Sequence, residues 1–416
     1  VIKSSRYPLL VVAATFVTLV AAAGVLSVPT MYVRPFEDQF GWSAAQISLA
    51  QALQIALFGL TGPFAAAAME RYGVRRTIAS ALLLLALASL AVTRITAAWQ
   101  LLPYAAAVGV GAGTIALTLG ATIANRWFAR NRGTVIGLFT AGNATGQLVF
   151  LPLFGVLIEH QGWRICAYIL AAVTLGLVPL FWFAMRERPI DVGIAPWGGD
   201  TLEPAPIHKR NPLAEAFGAL RDASRSRTFW LLAGSFFICG ASTNGLIAAH
   251  LVPACGDHGI PETRAATLLA FMGLFDLIGT TCSGWLSDRY DSRFLLSWYY
   301  ALRGLSLLFL PYAFGLGVFG LPLFAVFYGL DWIATVPPTI RIATAAFGRE
   351  RAPIVFGWIA ASHQLGAGLT ALAAGWSRTV IGTYNDAFVT SGVLCLFGSM
   401  LVLTIARRPR LEVATT

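Results

Sequence analysis

A chain of 416 residues, of which 57% are hydrophobic and only 12% charged, cannot be a water-soluble globule, because too few charged groups exist to cover its outside. The net charge of +10 is spread in short clusters between apolar runs, which argues against a nucleic-acid-binding face and reads instead as a set of topology signals. The five cysteines, Cys166, Cys239, Cys255, Cys282 and Cys395, lie in or beside those runs without a CxxC pair, so neither disulfide nor metal site nor other cofactor is expected.

A membrane-spanning helix needs about 20 apolar residues. From the N-terminus, runs punctuated by Gly, Pro and charge lie at 8–33, 43–69, 77–93, 99–124, 133–158 and 164–185. The basic start and the small residues Ala21 to Ala23 mimic a secretory signal, yet the first run continues to about Tyr32 and is long enough to span. A polar stretch from Arg186 to Arg227, with five prolines, reads as a linker. Six further runs follow at 228–254, 263–287, 294–313, 319–345, 354–376 and 385–406. The expected fold is all-α and integral to the membrane. Twelve transmembrane helices form two six-helix halves, residues 1–185 and 228–416, joined by the linker at 186–227.

Taking both termini, the linker and every second loop as one side collects 23 of the 29 Lys and Arg residues. The excess of positive charge predicts that this side is cytoplasmic. The halves also repeat: AAAAMERYGVRR after helix 2 and GWLSDRYDSRF after helix 8 place Glu70, Arg71, Tyr72 and Arg75 in register with Asp288, Arg289, Tyr290 and Arg293. Internal duplication of a membrane bundle points to transport by two halves rocking about a site between them.

The repeated loop resembles the Gly-x-x-x-Asp-Arg-x-Gly-x-Arg-Arg signature of the major facilitator superfamily. The second copy keeps Gly284, Asp288, Arg289 and Arg293; the first keeps Arg71, Gly73, Arg75 and Arg76 and has Glu70 at the acidic position. The strings RWFARNRGTVIGLFTAG at 126–142, GWSAAQIS, GWR at 162–164 and RPIDVGIAPWG are similar to those of the monocarboxylate transporter branch and its oxalate/formate relatives. The resemblance implies a secondary transporter working by alternating access. Two departures qualify the narrower likeness: helix 1 lacks the branch's acidic, glycine-rich motif, and the substrate-binding Arg expected four residues after Asp276 is Thr280 here.

Ionisable groups inside a bilayer cost at least about 2.5 to 3.5 kcal/mol each, so they mark partners or a water-filled path. At helix centres the N-terminal half offers Gln51 and Gln54, Thr114 and Thr118, and Asn143 and Gln147. The C-terminal half offers Asn244, Asp276, Arg303, Asp331, His363 and Gln364. At about 1.5 Å rise per residue, Asp276 and Arg303 lie at matched depths on consecutive helices. An Arg303–Asp276 ion pair is therefore expected, with contact to an anionic substrate as the alternative role for Arg303. Asp331 and His363 are read either as hydrogen-bonded packing groups or as proton carriers. Pro337 and Pro338 should bend helix 10, and Gly109, Gly111 and Gly113 serve close helix packing. The loop residues Glu70, Arg71, Gly73, Arg75, Arg76, Gly284, Asp288, Arg289 and Arg293 are expected to hold the cytoplasmic ends together in one state and release them in the other.

The reading is a carrier of a small organic anion, a monocarboxylate by resemblance, coupled to protons, in a bacterial-type inner membrane. It is expected to act as a monomer without a nucleic-acid partner. The competing readings are an efflux carrier for hydrophobic or cationic compounds, with Asp276 and Asp331 attracting the cation, and a sensor on a transporter fold. No nucleophile–base pair or nucleotide loop in credible context supports an enzyme.

Overall fold

The computed structural model describes residues 6–42, 44–202 and 211–406. Lys3, Lys209, Arg210, Arg407, Arg408 and Arg410, which contribute to the charge asymmetry, lie outside them. Six helical passes form the N-terminal half. Helix 1 is Tyr7–Ser27, extended by a 3-10 turn, Val28–Tyr32; helix 2 is Ala44–Tyr72 and helix 3 Val74–Val92. Helix 4 has two segments, Leu101–Ile115 and Leu117–Trp127, followed by helix 5, Arg132–Gln161, and helix 6, Trp163–Ala184.

The C-terminal half repeats this plan. Helix 7 runs from Arg227–Gly240 through a π-helical stretch, Ala241–Ile247, into Ala248–Asp257; helix 8 is Glu262–Arg289 and helix 9 Ser292–Ala313. Helix 10 is again in two segments, Gly317–Asp331 and Val336–Phe347, and helices 11 and 12 are Ala352–Ile381 and Asn385–Leu403. Among the described residues, eleven of the twelve passes are long and apolar enough to cross a membrane; helix 11, 30 residues long, falls short in hydropathy because His363 and Gln364 sit at its centre.

The starts of helices 2 and 8 are 218 residues apart, and so are those of helices 3 and 9. One offset therefore relates the halves through their helical framework as well as through the loop signature. The interior of each half is apolar, while leucines and aromatics such as Leu87, Phe183, Leu372 and Trp376 remain exposed on the outside, the inverse of a soluble surface. The chain is a multi-pass membrane protein.

The linker holds a helix that hydropathy alone misses. Residues Pro212–Ala223 form it, with Asn211 Oδ1 accepting from the Leu213 N–H at 3.0 Å and Pro212 at its first turn. An Asn cap followed by Pro and a first-turn Glu was the signal for it. This helix lies across the seam between halves: the Phe217 ring sits 5.5 Å from Phe64 of helix 2 and 5.8 Å from Trp358 of helix 11.

The halves meet closely at the linker end. A Cβ added at Gly284 of helix 8 would stand 2.4 Å from the Gly133 carbonyl of helix 5, and one at Gly357 of helix 11 would stand 2.4 Å from Pro63 N of helix 2. Only glycine lets the backbones approach so far. Three turns along the same stripes, Gly273 and Gly368 have nothing among the described residues within 4 Å of that position. The seam is thus closed on the linker side and ends near mid-depth.

Candidate functional site

The stretch GLDWIATVPP dictates an interruption in helix 10. Pro337 and Pro338 carry no N–H, so the carbonyls of Ile333 and Ala334 lose their helical donors. The helix accordingly turns over residues 332–335, and neighbours take up the freed groups. The Ser283 hydroxyl donates to Ala334 O, the Val336 N–H to Ile333 O, and the Ile333 N–H to Asp276 Oδ1 at 2.9 Å. Arg303 Nη2 donates to the carbonyls of both Asp331 and Trp332.

Arg303 is wholly buried and every nitrogen of its guanidinium is engaged, with Nε on Asp331 Oδ2 at 2.9 Å and Nη1 on Cys239 Sγ at 2.8 Å. This overturns the expected pairing with Asp276. The partner of Arg303 is Asp331, while Asp276 accepts from Thr280 Oγ1 at 2.7 Å and from the Ile333 N–H. Depth alone made Arg303 and Asp276 level, but the broken helix converges a carboxylate and two free carbonyls on one point, and a planar cation with five donors is best satisfied there. In this arrangement the guanidinium of Arg303 is enclosed by these protein partners. Asp331 Oδ1, in contrast, is buried without a hydrogen-bond partner among the described residues.

Cys239, Ser283 and Thr335 belong to this cluster and were not singled out by sequence, since small polar residues in apolar runs carry no distinctive pattern. Thr335 Oγ1 lies 3.3 Å from Cys239 Sγ. His363 packs its ring 5.0 Å from Phe236, and its carbonyl lies against Gly240, where an added Cβ would collide with it. Gln364 packs against Gly59 across the seam. Asn244 is exposed on the π-helical stretch of helix 7, where Thr243 and Ser242 donate back to the carbonyls of Cys239 and Ile238.

In the N-terminal half, Gln51 and Gln54 donate to Pro29 O and Leu26 O, filling acceptors left where helix 1 tightens to a 3-10 turn. Asn143 is half-buried and Gln147 exposed on helix 5. Helix 4 breaks at Ala116, with Thr114 bonded back to Val110 O at 2.8 Å and Thr118 just beyond the break. The three glycines of helix 4 pack on helices 2 and 3, Gly109 against Gln54 O, Gly111 against Leu85 and Gly113 against Phe58 O.

The two copies of the loop signature do different things. Glu70 pairs with Arg126 at 2.6 Å and Arg188 at 3.5 Å, and Glu187 accepts from the N–H groups of Val74 and Arg75 beyond Gly73, so the first copy ties its own half to the start of the linker. Arg75 lies over the Trp182 ring and Arg76 is exposed. Asp288 in the second copy crosses the seam. It accepts from the N–H groups of Gly133 and Thr134, both at 2.8 Å, and from Arg341, placing a carboxylate at the positive end of helix 5. Arg289 stacks on Trp285, and Arg293 pairs with Asp291 at 2.7 Å and caps Ile405 O. Asn125 of helix 4 adds a contact to Thr344 of helix 10 at the same end.

Known proteins resemble this chain in sequence and in fold. The chain is 27% identical over 403 residues to monocarboxylate transporter 13 of Bos taurus, covering 95% of this chain and 88% of the relative. It is 25% identical to the uncharacterized MFS-type transporter YcxA of Bacillus subtilis, covering 83% of this chain and 82% of that one. The solved structure of the E. coli fucose:proton symporter FucP superposes with a TM-score of 0.70 at 15% identity, covering 97% of this chain and all of that one. The sequence model of the Major Facilitator Superfamily matches residues 11–340 and 246–415. The chain therefore belongs to the Major Facilitator Superfamily, and it is a secondary transporter rather than an enzyme.

Proposed function

We propose that the protein carries a small organic anion, a monocarboxylate, together with protons. The substrate sits between the halves at mid-depth, and the linker and both termini lie on the cytoplasmic side of a bacterial-type inner membrane. The observation that carries coupling is the carboxyl of Asp331. One of its oxygens is held by Arg303 while the other is buried without a donor among the described residues, which leaves a place for a proton beside a helix break. A proton there would loosen the hold on Arg303, and Arg303 secures the turn that joins the two segments of helix 10. Support for the substrate class comes from the relatives named as monocarboxylate transporters that align with almost the whole chain.

The closed linker-side seam and the open stripes beyond mid-depth match one end state of alternating access. Flux into proteoliposomes tests the reading. A small carboxylate should be taken up with saturation, its amide should not, and collapsing the pH gradient at constant membrane potential should abolish accumulation. Flux indifferent to the pH gradient would overturn the coupling, and equal handling of acid and amide would overturn the substrate class.

A further inference from the structure

We infer that the substrate carboxylate is seated at the break in helix 4, on the backbone N–H groups of Leu117 and Thr118 and the hydroxyl of Thr118. The inference rests on the anion-transport reading above and deepens it by naming the seat. It begins from symmetry. The break at Ala116 and the turn containing Ala334 are 218 residues apart, the same offset that relates helix 2 to helix 8 and helix 3 to helix 9. Paired interruptions at equivalent places in two halves mark a binding site, since irregular backbone at membrane depth is tolerated only where something satisfies it.

In the C-terminal half the satisfying groups are resident. Asp276 takes the Ile333 N–H, and Arg303 with Asp331 fills the rest. The N-terminal half holds apolar side chains at the matching positions: Phe58 stands where Asp276 would be and Leu85 where Arg303 would be. Both are at helix 4, with Leu85 against Gly111 and Phe58 against Gly113. The N-terminal break therefore has no carboxylate of its own.

The segment Leu117–Trp127 starts at mid-depth, beside Gly62 of helix 2, and runs toward the linker end, so its positive end lies inside the bundle. The first N–H groups of a helix lack an acceptor one turn back. Thr118 supplies the independent sign of a missing ligand. Threonines elsewhere in these helices donate to the carbonyl four residues earlier, as Thr114 does to Val110, Thr122 to Thr118 and Thr140 to Ile136. Thr118 does not: it is 3% exposed, and its Oγ1 is buried with no partner among the described residues, the break having removed the geometry of that bond. The methyl of Thr118 lies where helices 2 and 11 touch, 3.4 Å from the Cβ position of Gly62, which in turn is 3.4 Å from Gly357. A ligand here lies within the closed seam, between the contacts of Gly62 with Gly357 and Gly59 with Gln364, against the surfaces that must separate when the linker end opens.

The test uses the full-length purified protein and the sodium salts of acetate, lactate and pyruvate, with the corresponding amides as controls. Thr118→Ser and Thr118→Ala differ only in the hydroxyl, so their comparison holds even if loss of the methyl loosens the seam. The Ser variant should bind within about 3-fold of the wild type, and the Ala variant about 10- to 100-fold more weakly, the range of a hydrogen bond to a charged group. Thr122→Ala, whose hydroxyl is spent on Thr118 O, should bind as the wild type does. Saturable carboxylate binding that is equal in the Ser and Ala variants would overturn the seat while leaving the transport reading standing. Wild-type protein that neither binds nor transports any of the three carboxylates would overturn both.

Discussion

Helices 4 and 10 are broken at equivalent positions, yet the two breaks are filled in opposite ways. Helix 10 is interrupted by two prolines and repaired by buried charge from helices 8 and 9, with Asp276, Arg303 and Asp331 each bonded to the turn or to one another. Helix 4 breaks without proline, among glycines and threonines, and Phe58 and Leu85 stand at the positions equivalent to Asp276 and Arg303. A duplicated framework has thus kept the interruption in both halves and the internal counter-charges in only one.

The largest effect should come from breaking the charged side of this comparison. Arg303→Ala leaves Asp331 buried without its cation and should cost about 3 to 5 kcal/mol of stability, whereas Arg303→Met with Asp331→Leu should recover most of that loss. Unfolding of the purified variants measures both; losses that simply add in the double variant would show that the two residues are not partners. The same double variant should fold and lose proton-driven accumulation.

The seam tests whether the two breaks communicate through the closed end. Gly357→Ala places a methyl 2.4 Å from Pro63 N, and neither backbone can yield without parting the halves. The variant should populate the linker-open state, read as faster labelling of a cysteine introduced at Thr344, with transport reduced at least about 10-fold. Unchanged labelling would mean that the seam closes by other contacts.

Asp288→Asn retains one acceptor but loses the charge at the start of helix 5, and should weaken linker-end closure by about 1 to 2 kcal/mol. The expected signature is lowered maximal flux at similar apparent affinity. A variant with normal maximal flux and much weaker affinity would contradict a gating role. Thr280→Val should have the smallest effect, about 1 kcal/mol, because it removes a single hydrogen bond to Asp276 while the Ile333 N–H remains in place. A loss several times larger would show that Thr280 does more than orient a carboxylate.

Much of the framework was legible because the bilayer simplifies the problem. Spans are long and apolar, and the observed helix starts at Val74, Trp163 and Arg227 fall within a few residues of those expected from Gly, Pro and charge. The helix 10 interruption was legible from Pro337 and Pro338, whose missing donors act locally. The break at Ala116 was not, since GVGAGTIALTLG holds residues that pack equally well in a continuous helix. The linker helix was overlooked because its capping signal is short and its apolar face, Ala216, Ala219 and Ala223, is made of small residues.

Composition, run lengths and the repeated loop by themselves determined the class, the twelve passes, the two-fold plan and the list of ionisable groups that must find partners inside. Only the tertiary structure decided which partners they found. Arg303 and Asp276 are level along their helices, but level is one coordinate of three. The direction in which each side chain leaves its helix, and the carbonyls exposed by a break in a third helix, chose Asp331 for Arg303 and a backbone N–H for Asp276. Pairing inside a low-dielectric interior is settled by where acceptors converge at about 3 Å, and that geometry exists only once all three helices are packed.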